Sequence, residues 1–186
     1  MISNRRNRTK ALRRMLLHLP ASRYDRILTF FETRSDEEFA MFLAQCAHES
    51  CRGYYTRECW GPTKLQKAYE GTRNAVRHGN TKKGDGFAFR GSGLIQVTWK
   101  GTIAIASKDI YGDDRLIDNP ELLDDPTVGI ELSLWYWDKN KLSEVSNDIT
   151  EATKIINGKA TEGHPSFLSR RRELLAEARN YLARQL

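Results

Sequence analysis

The sequence predicts an α+β protein, mostly helical, with one small β-element and a cleft between two lobes. Three observations carry this expectation. Helix-start signals recur at Ser35-Asp36-Glu37-Glu38, Asn119-Pro120, Asp125-Pro126 and Asp148 to Glu151. Apolar residues follow several of them at three- and four-residue spacing, the period of a helix with one buried face. The stretch GDGFAFRGSGLIQVTW, Gly84 to Trp99, breaks that period with four glycines and short alternating apolar runs, and reads as a small hairpin or irregular sheet with loops.

Each element has its own justification. Ser35 as N-cap and Glu38 three residues into the helix fit a capping box, and Phe39, Phe42, Leu43, Cys46 and Ala47 continue at helical spacing. Asn119-Pro120 and Asp125-Pro126 each read as a cap followed by a proline whose missing N–H costs nothing in a first turn. The second of these helices places Ile130, Leu134 and Trp137 on one side. Asp148 to Glu151 fits another capping box, and Asn157-Gly158 stops that helix. Phe167 to Leu186 reads as a final amphipathic helix with Phe167, Leu174, Leu175, Ala178, Tyr181 and Leu182 on one face.

With 186 residues, the chain is expected to form a single domain, residues 1–186, large enough to need no disulfide staples. Its composition, 39% hydrophobic and 29% charged, is that of a globular protein, and no apolar run reaches the ~20 residues a membrane span requires. The basic start, MISNRRNRTKALRRMLLHL, has too short an apolar patch for a signal peptide, so synthesis in the cytoplasm is expected. Cys46, Cys51 and Cys59 make an odd set that argues against a disulfide framework. No Cys/His spacing matches a zinc site, so neither metal nor cofactor is expected. Net charge is +6, and the first fifteen residues carry six Arg/Lys and no acid. That balance favours anionic partners: nucleic acid, envelope polymers or a membrane surface.

The chemistry-bearing stretch is FLAQCAHESCRGYYTRE, Phe42 to Glu58. On a wheel of about 100° per residue, with Phe39 at zero, Glu49 falls near the edge of the apolar stripe and His48 opposite it. A carboxyl at such a rim is partly desolvated, which favours its protonated form and suits a general acid. Glu58 lies nine residues on in a polar stretch beside Arg57, where an ionised general base fits. Two carboxyls in divergent environments suit glycosidic bond cleavage. Two surface glutamates are the plain alternative.

FLAQCAHES with Glu58 nine residues after Glu49 resembles the catalytic helix and loop of family-19 glycoside hydrolases, which include chitinases and phage endolysins. GDGFAFRGSGLIQVT resembles the GDG-x-x-[FY]-RG-x-GLIQ-[LV]-T signature of that family. Asn119 to Leu123, Trp135, Trp137 and Thr153 to Gly158 match later segments, so the resemblance runs from about Ser35 to Arg172. It implies a lysozyme-like, two-lobed fold, with Glu49 as general acid and Glu58 as general base. It implies that Thr98 helps hold the attacking water and that Gln96 and Asn157 contact substrate. Inversion at the anomeric carbon follows, with room for a water between carboxyls roughly 6.5–9.5 Å apart. Departures occur at Cys51-Arg52-Gly53-Tyr54, at Thr102 and Ile103, and at Lys159, and they bear on subsite contacts. Gln96 and Thr98 have the alternative of only hydrogen-bonding the hairpin.

Arg171 falls inside the apolar stripe of the last helix, between Phe167 and Leu174, and a guanidinium there needs a carboxylate or sugar hydroxyl. It matches the family's cleft arginine, with Arg172 as the register alternative. Pairing of Arg171 with Glu58 is expected. Tyr54, Tyr55, Trp60 and Phe87 are candidates for sugar stacking.

The expected activity is that of an endolysin that hydrolyses the glycan strand of bacterial peptidoglycan. It would be held in the host cytoplasm, released through a holin-type pore and act on the wall in the periplasm as a monomer. Anionic envelope polymers are a further expected partner. A chitinase keeps the chemistry and changes the polymer. A basic nucleic-acid-binding protein is the reading from another class, but no helix-turn-helix or zinc-finger spacing supports it and no nucleic-acid partner is expected.

Overall fold

The computed structural model describes residues 4–158 and 165–183. Its helices in chain order are α1 (Arg5–Met15), α2 (Tyr24–Phe30), α3 (Asp36–Glu49), α4 (Lys64–Lys67), α5 (Arg73–Arg77) and α6 (Asp85–Ala88). There follow α7 (Lys100–Tyr111), α8 (Arg115–Asp118), α9 (Pro126–Lys139), α10 (Ile149–Asn157) and α11 (Pro165–Ala183). Short 3-10 turns occupy Ala21–Arg23, Pro120–Asp124 and Leu142–Val145. The chain falls into two compact units, Met1–Tyr54 with Trp137–Leu186, and Tyr55–Tyr136.

The first unit is helical, and α3 is its centre. Ser35 caps α3 as expected, its hydroxyl accepting from the Glu38 N–H at 3.1 Å. The Glu38 carboxylate is buried. It accepts from the Trp137 indole at 3.0 Å and from Arg34 at 2.9 Å, a tertiary role in place of the expected reciprocal cap. Phe31, Phe39, Phe42 and Trp137 form an aromatic core, with Phe42 edge-on to Trp137 at 5.3 Å. Arg8 of α1 is buried beside them and paired to Asp36 at 2.8 Å. Along α11, Leu174, Leu175, Ala178 and Leu182 are buried as expected, whereas Phe167 is 45% exposed. The predicted helix end at Leu186 and the departure at Lys159 lie outside the described residues.

Asp148 caps α10 by accepting from the N–H groups of Thr150 and Glu151 at 2.9 and 3.0 Å. Gly158 ends the helix at φ +64°. Asp125 opens α9, accepting from the Thr127 N–H at 2.7 Å, and Ile130, Leu134 and Trp137 are all buried.

The second unit packs around Phe89, Val97, Ile103, Ala106, Leu116, Leu123 and Leu132. Here the expected hairpin is corrected. The first part of Gly84–Trp99 is the short helix α6, and the carboxylate of its first residue, Asp85, accepts from the N–H groups of Thr81 and Lys82 in the preceding turn, both at 2.9 Å. The remainder forms only isolated antiparallel bridges, Arg57 with Ser92 and Ser92 with Val97. Positive φ at Gly93 (+80°), Gln96 (+60°) and Trp99 (+84°) interrupts extended backbone too often for a strand. Gly93 also lies against α9, where an added Cβ would come 2.2 Å from the Gly129 carbonyl oxygen.

Candidate active site

The two expected carboxylates occupy different units, and each has its own set of donors. Glu49 ends α3, one turn after Gln45. From α11, the fully buried Arg171 donates one nitrogen to Glu49 and another to Gln45. Gln45 in turn donates to the Thr153 hydroxyl of α10 at 3.1 Å. With its amide oriented to satisfy both neighbours, Asn157 donates to Glu49 Oε1 at 2.9 Å and accepts from Arg171 Nη2 at 2.6 Å. Arg171 Nε is buried without a hydrogen-bond partner among the described residues.

The cluster exists because α11 packs its apolar face on α3 and the one guanidinium inside that face must find acceptors. The sequence reading pairs Arg171 with Glu58. The structure pairs it with Glu49, because the acceptors that α11 meets are those of α3. Beside this cluster, His48 stands edge-on to Phe167 at 5.8 Å. Burial, and then the charges of Arg171 and Arg170, push its imidazole down to about 4, so it is neutral at neutral pH. Tyr54 is 63% exposed, its ring edge-on to His18 at 5.2 Å.

Glu58 belongs to the second unit, in the loop bridged to Ser92 through Arg57. Its backbone N–H donates to the Gly91 carbonyl at 2.9 Å, and the Gly91 N–H donates back to Glu58 Oε2 at 3.0 Å. Gln66 Nε2 donates to Glu58 Oε1 at 2.8 Å. Burial, and then the Glu58 carboxylate, push the Tyr69 phenol up to about 12. Trp60 packs edge-on to the exposed Phe87 at 5.6 Å and tilted against Tyr69 at 6.3 Å.

Gln96 and Thr98 have structural partners in this unit. Gln96 Nε2 donates to the carbonyls of Tyr55 at 3.1 Å and Gly93 at 2.9 Å, and Thr98 Oγ1 donates to the Gln96 carbonyl at 2.9 Å. A Cβ on Gly91 would come 2.6 Å from Gln96 Oε1, so the end of the Gln96 side chain would have to shift. Among the described residues no group of three or more His, Cys, Asp and Glu side chains could hold a metal ion.

Sequence reasoning missed Gln45, Gln66 and Tyr69. Gln45 carries a signal, since it lies four residues before Glu49 on the same helix face. Gln66 closes a capping box with Thr63 at the start of α4, a pattern readable in Thr63-Lys64-Leu65-Gln66, although its reach to Glu58 is tertiary. Tyr69 follows three residues later.

A family model described as chitinase class I matches residues 28–166. A Haemophilus influenzae protein with a glycosyl hydrolase family 19 domain is 30% identical over 144 residues, covering 64% of this chain and 70% of that protein. An Arabidopsis thaliana endochitinase is 28% identical over 140 residues, covering 75% of this chain and 46% of the enzyme. Rice chitinase 4 (Oryza sativa subsp. japonica) is 28% identical over 124 residues, covering 67% and 41%. The chain thus spans under half the length of the two plant enzymes. Among solved structures, a bacterial family 19 chitinase superposes with a TM-score of 0.70 at 20% identity, covering 100% of this chain and 97% of the other. Chitinase C from Streptomyces griseus HUT6037 gives 0.65 at 23% identity, covering 92% and 74%. These likenesses bear out the expected mostly helical, lysozyme-like fold.

Proposed function

Since the chain belongs to glycoside hydrolase family 19, the class I chitinases, we propose that it is an endolysin that hydrolyses glycosidic bonds in the glycan strands of bacterial peptidoglycan. The observation that carries the chemistry is that each of its two glutamate carboxyl groups is held by its own set of donors. Glu49 is held by Arg171 and Asn157, and Glu58 by Gln66 and Gly91. In this reading Glu49 gives its proton to the leaving glycosidic oxygen. Glu58 takes a proton from a water, whose oxygen attacks the anomeric carbon and inverts it. The bond broken is the glycosidic C–O, and the products are a new reducing end and a free hydroxyl. Thr98 would orient the water, and Gln96, Asn157 and Tyr54 would contact the sugar.

Charge favours peptidoglycan over chitin. The chain carries a net +6, and a wall whose stem peptides bear carboxylates attracts it where a neutral N-acetylglucosamine polymer does not. Release from the host cytoplasm through a holin-type pore fits such an enzyme. Chitin hydrolysis is the second reading, favoured by the names of the plant relatives. Purified walls and colloidal chitin, digested in parallel and followed by mass analysis of the reducing ends, separate the two. Soluble wall fragments with new reducing ends support the proposal. Release from chitin alone overturns it.

A further inference from the structure

The outer face of α1 takes no part in the candidate active site. Its buried side is fixed to the first unit through Ala11, Leu12 and Met15, all fully buried. Its opposite side lines a furrow of about 790 Å³ with Arg6, Thr9, Lys10, Arg13, Arg14 and Leu17. Arg6, Arg13 and Arg14 are exposed and Lys10 is half-buried. Among the described residues none of these four cations forms an ion pair, although Arg5 and Arg8 of the same helix pair with Asp25 and Asp36. The absence of any acid in the helix leaves the stripe without internal compensation. Leu17, 56% exposed, stands at its end.

We propose that this stripe is a docking surface for an anionic phospholipid membrane. From Arg6 to Arg14 the cations extend about 12 Å along a rigid helix, a row suited to a plane of headgroup phosphates rather than to one enclosed ion. Long basic side chains lie with their stems on an apolar boundary and their charges in the headgroups. An exposed leucine beside them enters that boundary, whereas a nucleic-acid backbone offers it nothing to bury against. No helix among the described residues is long and apolar enough to cross the bilayer, so the contact is peripheral. The surface stands independently of the catalytic reading.

The test is co-sedimentation of the full chain with vesicles of phosphatidylcholine and phosphatidylglycerol, and with phosphatidylcholine alone. Binding to the anionic vesicles only is expected, weakening as salt rises. At about five-fold per charge, equivalent to about 1 kcal/mol each, the quadruple variant Arg6→Gln, Lys10→Gln, Arg13→Gln, Arg14→Gln binds at least 100-fold more weakly. Leu17→Ser weakens binding with no change in charge. A control that removes four exposed cations of the second unit, Arg73→Gln, Arg77→Gln, Lys82→Gln, Lys83→Gln, binds nearly as the parent. Equal losses in the two quadruple variants, or no loss in the first while thermal unfolding shows it folded, overturn the proposal. So does duplex DNA that is bound more tightly than the vesicles through the same four residues.

Discussion

Arg171, fully buried in α11, donates to Glu49 at the end of α3 and to Gln45 one turn before it. One guanidinium thus fixes the carboxylate and the helix that carries it. Removing a partner from a buried ion pair leaves the other charge uncompensated. Arg171→Ala should therefore destabilise the protein by roughly 3–5 kcal/mol, read as a lower urea midpoint. Arg171→Lys keeps the charge but loses the planar fork. It should stay folded and lose about 100-fold in kcat through misplacement of Glu49.

Glu49→Gln and Glu58→Gln should each reduce the rate of wall solubilisation by at least about 100-fold. Glu58→Gln should unfold close to the parent midpoint, whereas Glu49→Gln, which leaves the buried Arg171 without its carboxylate, should unfold at a lower one. Turbidity of a wall suspension reads this directly. Retention of the parent rate by either variant would remove the proposed acid–base pair.

Gln66 holds Glu58, and Tyr69 stands beside it, without either being part of the bond cleavage. Gln66→Leu removes one charge-assisted hydrogen bond to Glu58, and kcat should fall about tenfold with KM little changed. The Tyr69 phenol, pushed up to about 12, should be absent from the tyrosine absorbance change near pH 10. With its folded value above the unfolded one, its contribution to stability is complete below pH 10 and declines as pH rises from about 10 to 12.

His48 gives the opposite sign. Its folded value of about 4 lies below the unfolded 6.5, so its contribution is present above pH 6.5 and is lost as pH falls from 6.5 through about 4. Since the ring is only half-buried, the loss should be modest, about 1–2 kcal/mol after solvent screening. Urea midpoints measured across that window should fall more steeply for the parent than for His48→Gln. An imidazole resonance that titrates near 6.5 would refute the buried, cation-flanked placement.

Gly93→Ala should destabilise by roughly 2–4 kcal/mol, because a left-handed backbone and a collision with Gly129 act together. Gly84→Ala tests the distinction. Its φ is +94° but nothing stands within 4 Å of its Cβ position, so only the backbone strain remains.

Local signals were legible and tertiary choices were not. Ser35 and Asp148 cap helices where the sequence places them, because a cap depends only on the next three residues. The buried face of α9 and the burial of Arg171 follow from helical period alone. The partner of Arg171 does not, since a wheel tells which side a residue faces but not which helix lies there. Glu38 shows the same limit: its spacing fits a capping box, yet Trp137 and Arg34 outcompete the local bond. In Gly84–Trp99 the glycines announce turns, but the contact of Gly93 with Gly129, which prevents a strand, depends on a helix more than thirty residues downstream. Glu49 and Glu58 were readable as candidates, whereas the side-chain donor that holds Glu58 arrives from α4.

The ion pair between Glu49 and Arg171 joins residues 122 positions apart. During translation, Glu49 leaves the ribosome long before its cation exists. A nascent chain that stops short of α11 therefore lacks both the arginine and the helix that buries it. The carboxylate acquires its partner only once α11 has been made, and any activity that depends on the pair waits for that helix.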